Sequence, residues 1–357
     1  MRNRNLAILA AIAAAVVGGL AVYLRAPPKQ QATYFVFGST TTVELRGADD
    51  SNGRAALDAI GQLLQRNQRE WHPWEISDLM RLNAALARGE SYRVPNGLAE
   101  LIRRAQRAFV DSDHLFNPAV GALIGLWGFH TSEFPLVTPP PMRPTIDSLL
   151  AANPRMDDIV VDVDGTVSSR NRAVELDLNG LAEGFAAEQI SQLLAQRGIG
   201  NSLINLGGDV LARGDAGGRP WRVAISTPQH NVLATAELTG HEALFSSGDY
   251  NKFREIEGQR WGHVLDPRNG EPTHGVAAAS VIHADAIVAD VAATTLMIAG
   301  SKDFVRIAQG LGIRCALLMT EDGVLWITPA MRARLRFEVT PPRIEIADVP
   351  GSTCAGP

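Results

Sequence analysis

One uncharged apolar run near the start of the chain divides the sequence into two unequal parts. Residues 6–24 contain no charged side chain, whereas Arg2 and Arg4 precede the run and Arg25 follows it. A helix of these 19 residues, at 1.5 Å each, would be about 28 Å long, close to the thickness of a bilayer's hydrocarbon core. The run therefore predicts a membrane-spanning helix, which leaves the rest of the chain to build the folded domain.

The residues around this run predict how it sits in the membrane. Basic residues before it place the N-terminus in the cytoplasm, so the body would lie across the inner membrane, on the periplasmic or extracytoplasmic side in a bacterium. The exit sequence, residues 22–25, lacks the small residues of a cleavage site, which favours an uncleaved anchor. A cleaved signal peptide is the alternative, and the absence of a nearby cysteine excludes a lipidated N-terminus. We expect residues 1–31 to form the anchor and a linker.

The remainder has the composition of an ordinary globular protein. Hydrophobic residues make up 46% and charged residues 20% of the 357, which excludes a disordered chain or a coiled coil. The net charge of −5 argues against a nucleic-acid partner, because such proteins usually carry a basic surface. Cys315 and Cys354 form no Cys-x-x-Cys pair, so they cannot make a disulfide framework or a thiolate zinc site.

Hydrophobic spacing predicts a mixture of helices and strands. Helices are predicted at residues 54–70, 97–109, 179–197, with Asn179 as the N-cap, and 285–299, with Gly300 ending the last one. Strands are predicted at residues 33–37, 41–46, 159–163, 202–206, 221–225, 276–282, 315–319 and 324–328. The two types interleave without a regular βαβ order, which favours the α+β class.

The breaks in this pattern define the domain organisation. The proline-rich residues 135–144 predict a loop. We expect a single large mixed α/β domain over residues 32–340. Residues 341–357 have the composition of a flexible tail.

Several common enzyme motifs are missing from the sequence. It contains no GxxxxGK[ST], GxGxxG, HExxH or GxSxG motif, which disfavours P-loop NTPases, Rossmann dehydrogenases, zincins and α/β-hydrolases.

Two features indicate an oxygen-ligand or anion site. Asp290 and Thr294 are four residues apart on a predicted helix, and a carboxylate and hydroxyl on one face suit a hard divalent cation. Alone, such a pair is more often an exposed helix face. Residues 177–184 join a strand end to a helix start, where free N–H groups attract anions and Gly180 would let a ligand approach the chain. Ordinary helix capping is the alternative.

Eight short motifs in order carry a family resemblance. They are GSTTTVEL (38–45), SDLMRLN (77–83), FNPAVGALIGLWGF (116–129), ELDLNGLAEGFA (175–186), NLGGD (205–209), SSGDYNKF (246–253), HVLDPRNGEP (263–272) and DAIVADVAATTL (285–296). In this order and spacing the sequence resembles the ApbE family, the FAD:protein FMN transferases, over about residues 35–328. Each motif is weak alone, but the ordered set is specific.

The resemblance implies a reaction and its partners. A Ser/Thr hydroxyl of an acceptor protein would attack the FAD pyrophosphate, FMN would become attached through a phosphoester, and AMP would leave. The family uses a divalent cation, usually Mg²⁺, which positions the diphosphate and neutralises its charge. Two alternatives use the same pocket: a flavin-binding or flavin-delivery protein, and an FAD pyrophosphatase with water as the acceptor.

The resemblance also implies roles for individual residues. Asp290, Thr294 and the backbone carbonyl of Gly180 would bind the metal. His263 would accept the proton of the attacking hydroxyl, with Asp285 as the second candidate, although His263 could instead be a structural residue of its loop. The residues implied to bind FAD are Phe37 (where the family commonly has Met), Trp74, Ala119, Val120, Gly121, Asp177, Glu183 and Val264.

Overall fold

The computed structural model describes residues 28–228, 231–351 and 353–354. The predicted anchor at residues 6–24 lies outside the described residues. Within the described part, no helix combines the length and the apolar character needed to cross a membrane.

The described part contains the following helices and strands. The α-helices are α1 (Asp50–Trp71), α2 (Asp78–Arg88), α3 (Asn96–Asp111), α4 (Gly121–Leu126), α5 (Arg143–Ala151), α6 (Asn179–Gln196), α7 (Ala286–Gly310) and α8 (Pro329–Arg334). The strands are β1 (Lys29–Val36), β2 (Ser39–Arg46), β3 (Tyr92–Arg93), β4 (Ile159–Val161), β5 (Thr166–Ser169), β6 (Asn201–Leu206), β7 (Asp209–Gly214), β8 (Trp221–Ser226), β9 (Val232–Leu238), β10 (Gly240–Gly248), β11 (Phe253–Ile256), β12 (Gln259–Gly262), β13 (Leu265–Asp266), β14 (Glu271–Pro272), β15 (Val276–His283), β16 (Cys315–Thr320), β17 (Val324–Ile327), β18 (Leu335–Phe337) and β19 (Arg343–Ile346).

A nine-stranded sheet organises the molecule. Its order is β1-β2-β6-β7-β10-β15-β16-β17-β19, and its neighbours are antiparallel except for the parallel pair β17 and β19. A three-stranded sheet, β18-β9-β8, and a smaller one, β3-β5-β4, accompany it. The architecture is the mixed α/β arrangement that the sequence predicts.

The central strands of this sheet are covered on both faces. In β10, Ala243 and Phe245 belong to the core shared with the helices, whereas Leu244 belongs to the core on the opposite face. Successive side chains point to opposite faces, so a strand covered twice must be apolar at nearly every position. This explains the uninterrupted apolar runs in the sequence.

Helices α6 and α7 pack together on one face and position most of the site. Gly184 of α6 lies against the start of α7, where an added Cβ would be 2.6 Å from the carbonyl oxygen of Ala286. Only glycine allows so close an approach. Because α7 also packs on β10 and β15, the groups on both helices are held rigidly relative to the sheet.

The start of α6 differs from the prediction, whereas the break at Gly300 agrees with it. Helix α6 begins at Asn179, so the predicted N-cap is wrong: the preceding Leu178 makes no side-chain cap, and Asp177 Oδ1 accepts the Asn179 N–H at 3.0 Å. Gly300 has φ 69° and ψ −179°, which lie outside helical geometry, so the predicted end of this helix at the glycine is confirmed. A second helical segment follows it to Gly310.

The expectation of a flexible tail over residues 341–357 is wrong for the part that the structure describes. Residues 343–346 form β19 and pair with β17, and Val349 is buried in the core. Cys354 forms a disulfide bond with Cys315 in β16, a single bond that the sequence analysis did not predict. At the other end, β1 begins at Lys29, inside the predicted linker.

Candidate active site

Seven of the eight recognised motifs, all except SDLMRLN (77–83), contribute residues to a cavity of about 810 Å³, a size typical of ligand pockets. Of the twelve predicted site residues, ten line it: Phe37, Trp74, Val120, Asp177, Gly180, Glu183, His263, Val264, Asp290 and Thr294. Ala119 and Gly121 do not line it. The structure therefore brings together residues that are separated by more than 250 positions in the chain.

Ala119 and Gly121 support the cavity from behind its wall. The segment around them runs beside residues 175–177: the Gly121 N–H donates to the Glu175 carbonyl at 2.8 Å, and the Asp177 N–H donates to the Pro118 carbonyl at 2.9 Å. A Cβ on Gly121 would lie 2.7 Å from the Glu175 carbonyl oxygen. These contacts present Val120 and Asp177 to the cavity, so the two non-lining residues act through packing.

Three carboxylates line one side of the cavity and form what we name the acidic wall: Glu183, Asp209 and Asp290. Burial raises the pKa of all three. The pKa of Asp209 and that of Asp290 lie well above the usual value, because the charge of Glu183 adds to the effect of burial. Such close like charges are costly unless a cation neutralises them.

Hydrogen bonds from the main chain fix two of these carboxylates. Asp290 Oδ2 accepts the N–H of Gly184 at 2.9 Å, and Asp209 Oδ1 accepts the N–H of Ser246 at 2.7 Å. Lys252 also lines the cavity, and its charge lowers the pKa of Glu183 against the larger effect of burial. Asp209 was missed as a site residue, although the NLGGD motif that contains it was recognised.

The predicted metal ligands are one member of the acidic wall, Asp290, and two other residues that line the cavity, Thr294 and Gly180. Thr294 follows Asp290 by about one turn of α7, and its Oγ1 is 2.8 Å from Ser247 Oγ. The Gly184 N–H, which would bond to the Gly180 carbonyl in a regular helix, is engaged by Asp290. This leaves acceptor capacity on the Gly180 carbonyl. A carboxylate, a hydroxyl and a carbonyl are the oxygen ligands that a hard divalent cation prefers.

The described residues contain no group of three or more His, Cys, Asp or Glu side chains arranged to hold a metal ion by themselves. A cation at this place would therefore need ligands of other kinds, such as the Thr294 hydroxyl, the Gly180 carbonyl and oxygens of a bound phosphate. Gly180 itself is required by packing, because an added Cβ would lie 2.8 Å from the ring of Phe116.

Aromatic side chains line another part of the cavity. Trp74 stacks on His130 with ring centroids 5.5 Å apart, and His130 Nε2 lies 3.1 Å from Asp177 Oδ2. Phe37 stacks parallel to Trp71 at 6.0 Å. These flat surfaces suit a planar ring ligand. His130 was not predicted, and its only signal is its position directly after the motif ending at residue 129.

The backbone of Phe37 is itself unusual. Phe37 and Gly38 have φ values of 54° and 72° and form the turn between β1 and β2, one residue earlier than the predicted break. Positive φ costs a bulky residue about 1–3 kcal/mol. A hydrogen bond from the Phe37 N–H to Gln68 Oε1 at 2.7 Å and the stacking on Trp71 hold it there.

His263 lies on the cavity surface as a neutral imidazole. Its side chain is 34% exposed, yet its Nδ1 atom is buried and has no hydrogen-bond partner within the described structure. Burial and then the charge of Lys252 lower its pKa to about 4. Asp285, the second candidate base, caps α7 by accepting the Ile287 and Val288 N–H groups and does not line the cavity.

The chain is similar to known proteins of one family. The model of the ApbE family matches residues 37–317. The FAD:protein FMN transferase of Rhodobacter capsulatus is 38% identical over 348 residues, which cover 95% of this chain but 65% of that protein. A FAD:protein FMN transferase of Klebsiella pneumoniae is 30% identical over 311 residues, covering 84% of this chain and 87% of that protein.

Solved structures show the same fold. The ApbE protein of Thermotoga maritima gives a TM-score of 0.78 at 25% identity, covering 87% of this chain and all of that one (100%). The flavinyl transferase ApbE of Pseudomonas stutzeri gives 0.77 at 27% identity, covering 89% and 99%.

Proposed function

The chain belongs to the ApbE family, and on that premise we propose that it is an FAD:protein FMN transferase. The substrate would be FAD, the acceptor a Ser/Thr hydroxyl of another protein, and the released product AMP. The observation that carries the proposal is that ten of the twelve family-implied residues line one cavity.

Mg²⁺ is part of this proposal. Asp290, Thr294 and the Gly180 carbonyl would hold it, and the mutual repulsion within the acidic wall supports a bound cation there. When bound, the ion would orient the diphosphate and neutralise its charge. Trp74 and Phe37 offer aromatic surfaces on which the isoalloxazine or adenine ring would stack.

The proposed transfer balances as follows. The acceptor oxygen forms a bond to the phosphorus of the FMN half of FAD. The bond from that phosphorus to the bridging oxygen breaks, and AMP leaves with this oxygen and its electron pair. His263 takes the proton of the acceptor hydroxyl and later passes it to the AMP phosphate or to water.

A two-product assay tests the proposal. The full chain in detergent is incubated with FAD, Mg²⁺ and peptides bearing candidate Ser/Thr motifs, and peptide mass and AMP are measured together. We expect the FMN mass increment and AMP in equal amounts, both abolished by EDTA. AMP without modified peptide would identify an FAD pyrophosphatase, and FAD binding without either product a flavin-delivery protein.

His263→Ala separates proton transfer from nucleotide binding. We expect FAD affinity to stay almost normal while single-turnover transfer slows by about 10²–10⁴-fold, the usual effect of losing a general base. A joint loss of FAD affinity and thermal stability would instead identify His263 as a structural residue of its loop.

We also propose that residues 1–31 anchor the protein in the inner membrane with the body on the periplasmic side. The bond between Cys315 and Cys354 supports this placement, because disulfides persist mainly in oxidising compartments. Membrane fractionation of the full chain, N-terminal sequencing of the mature protein and alkylation of free thiols in intact cells test it. Thiols that alkylate without prior reduction would contradict it.

A further inference from the structure

Asp249 lies directly behind His263, away from the cavity. His263 lines the cavity, whereas Asp249 does not. The Nδ1 atom of His263 is 4.0 Å from Oδ1 of Asp249. Both atoms are buried, and in the described structure neither has a partner with full hydrogen-bond geometry, although backbone groups of Lys252 and Val264 lie close enough to His263 and Asp249, respectively, to act on their pKa values. Two complementary polar atoms facing each other without such partners are unusual, because buried polar groups are nearly always satisfied.

The surrounding backbone is built to admit the carboxyl group. At Gly262, the residue before His263, an added Cβ would lie 2.0 Å from Asp249 Cγ. Any larger residue there would therefore displace the carboxyl group. On the other side, Thr273 Oγ1 donates to Asp249 Oδ2 at 3.4 Å, and the Asp249 N–H donates to the Ala277 carbonyl at 3.2 Å. These contacts leave Oδ1 as the oxygen that faces the imidazole.

We propose that Asp249 is a positioning residue for His263: its carboxylate binds the Nδ1–H and turns the opposite nitrogen, Nε2, toward the acceptor hydroxyl. The inference rests on the proposed function, in which His263 accepts that proton. A movement of less than 1.5 Å would bring the 4.0 Å pair within hydrogen-bond distance. Asp249 would fix the tautomer and stabilise the imidazolium that forms during transfer.

The charge balance explains why His263 needs this partner. With its pKa lowered to about 4, an isolated His263 would be a weak base near neutral pH. Burial raises the pKa of Asp249 to about 7, so the carboxylate becomes available as the pH rises through that value. The other charged groups that act on the pair are Lys252 and Asp177 at His263, and Glu321 and Arg260 at Asp249.

Asp249 adds no further proton movement to the proposed transfer. The acceptor hydroxyl gives its proton to Nε2, the Nδ1–H stays on the imidazole ring, and Asp249 remains ionised throughout.

Asp249→Asn in the full chain tests the proposal. We expect FAD affinity within about threefold of wild type and single-turnover transfer slower by about 10²–10⁴-fold. The wild-type rate should rise with pH through about 7, and the variant should lose that rise. Thr273→Val, which removes the hydroxyl contact to the other carboxyl oxygen, is the matched control and should keep the rise.

A second measurement does not depend on transfer. Nitrogen-15 spectra of the His263 ring should show Nδ1 protonated in the wild-type protein and a changed tautomer in Asp249→Asn. An unchanged tautomer together with an unchanged pH profile would overturn the proposal. Lost FAD affinity and lower thermal stability in Asp249→Asn would overturn it too, in favour of a structural role. If the His263 tautomer changes in Asp249→Asn as expected but the wild-type protein transfers no FMN, the interaction between Asp249 and His263 is supported and only the proposed function is contradicted.

Discussion

The acidic wall and Arg254 both place charged side chains in the interior, but their surroundings are opposite. The acidic wall holds three carboxylates whose charges repel one another, with main-chain donors to Asp209 and Asp290. Arg254 is 2% exposed and is surrounded by acceptors, because its guanidinium donates to the carbonyls of Trp127, Thr138 and Pro139.

The difference separates a structural charge from a functional one. Arg254 fastens two loop segments to the β11–β12 hairpin, and burial without any carboxylate partner lowers its pKa. Its hydrogen bonds compensate for much of that burial. In the acidic wall, the main-chain donors to Asp209 and Asp290 do not remove the repulsion among the three carboxylates, which remains costly in the absence of a cation. A fold retains such repulsion where a ligand relieves it, so the acidic wall, and not Arg254, indicates the site.

Asp290→Asn should have the largest effect, and it should change both the transfer rate and the free energy of unfolding. Transfer should fall by about 10³-fold or more, because the strongest predicted metal ligand loses its charge. The free energy of unfolding in EDTA should rise by about 1 kcal/mol, because one repelling charge is gone. Single-turnover transfer and urea unfolding measure the two effects. Full activity at saturating Mg²⁺ would show that Asp290 does not bind the metal.

Arg254→Met should produce the opposite pattern. Removing the guanidinium leaves the buried carbonyl of Trp127 without its donor and breaks the half-buried bonds to Thr138 and Pro139, so the unfolding free energy should fall by about 3 kcal/mol. FAD affinity of the folded protein should change much less. Arg254→Lys is the control for charge: it keeps the positive charge but cannot reach all the acceptors at once, so it should also lower the unfolding free energy. If Arg254→Met lost FAD affinity without losing stability, the contrast between the two regions would fail.

The pH dependence of stability should sharpen the contrast further. The carboxylates of the acidic wall have pKa values above the unfolded value of 3.8 for Asp and 4.5 for Glu. The folded protein therefore binds more protons than the unfolded one, and its stability is lost as the pH rises from about 4 through the folded pKa values. In EDTA we expect a slope of about 1.4 kcal/mol per pH unit for each additional proton held.

Mg²⁺ and Asp290→Asn should each flatten this slope, whereas Arg254→Met should leave it unchanged. Chemical unfolding at several pH values between 5 and 8, with and without Mg²⁺, measures it. Stability that increases with pH in EDTA would mean that the carboxylates are not strained in the folded protein.

Thr294→Ala should have the smallest effect in this series. A neutral hydroxyl contributes less than a carboxylate to holding a hard cation, so transfer should fall by about tenfold and the Mg²⁺ requirement should shift to higher concentration. Thr294→Ser keeps the oxygen and should restore most of the activity. Equal defects in both variants would point to the methyl group and to packing, and would remove Thr294 from the metal site.

The sequence determined the family, the mixed class of the fold and ten of the residues that line the cavity. These depend on local patterns: apolar spacing predicted helices α1, α3, α6 and α7 and several strands, and ordered motifs marked residues such as Asp290 and His263. Helices α2, α4, α5 and α8 were not predicted. Strands β7, β9 and β10 were not predicted. Their residues alternate between two buried faces or lie inside motifs. The pattern of one such strand therefore did not show that it pairs with neighbours in a sheet.

Only the tertiary structure decided which groups act on one another. Asp209 lies close to Glu183 because β7 begins beside the first turns of α6, and Asp249 faces His263 because Gly262 leaves room for a carboxyl group. Tertiary contacts also fix the C-terminal segment, whose composition predicted a flexible tail. There β19 pairs with β17, and Cys354 is bonded to Cys315. Charge repulsion, close packing and long-range pairing depend on distances between residues that lie far apart in the chain, and local sequence patterns contain no information about those distances.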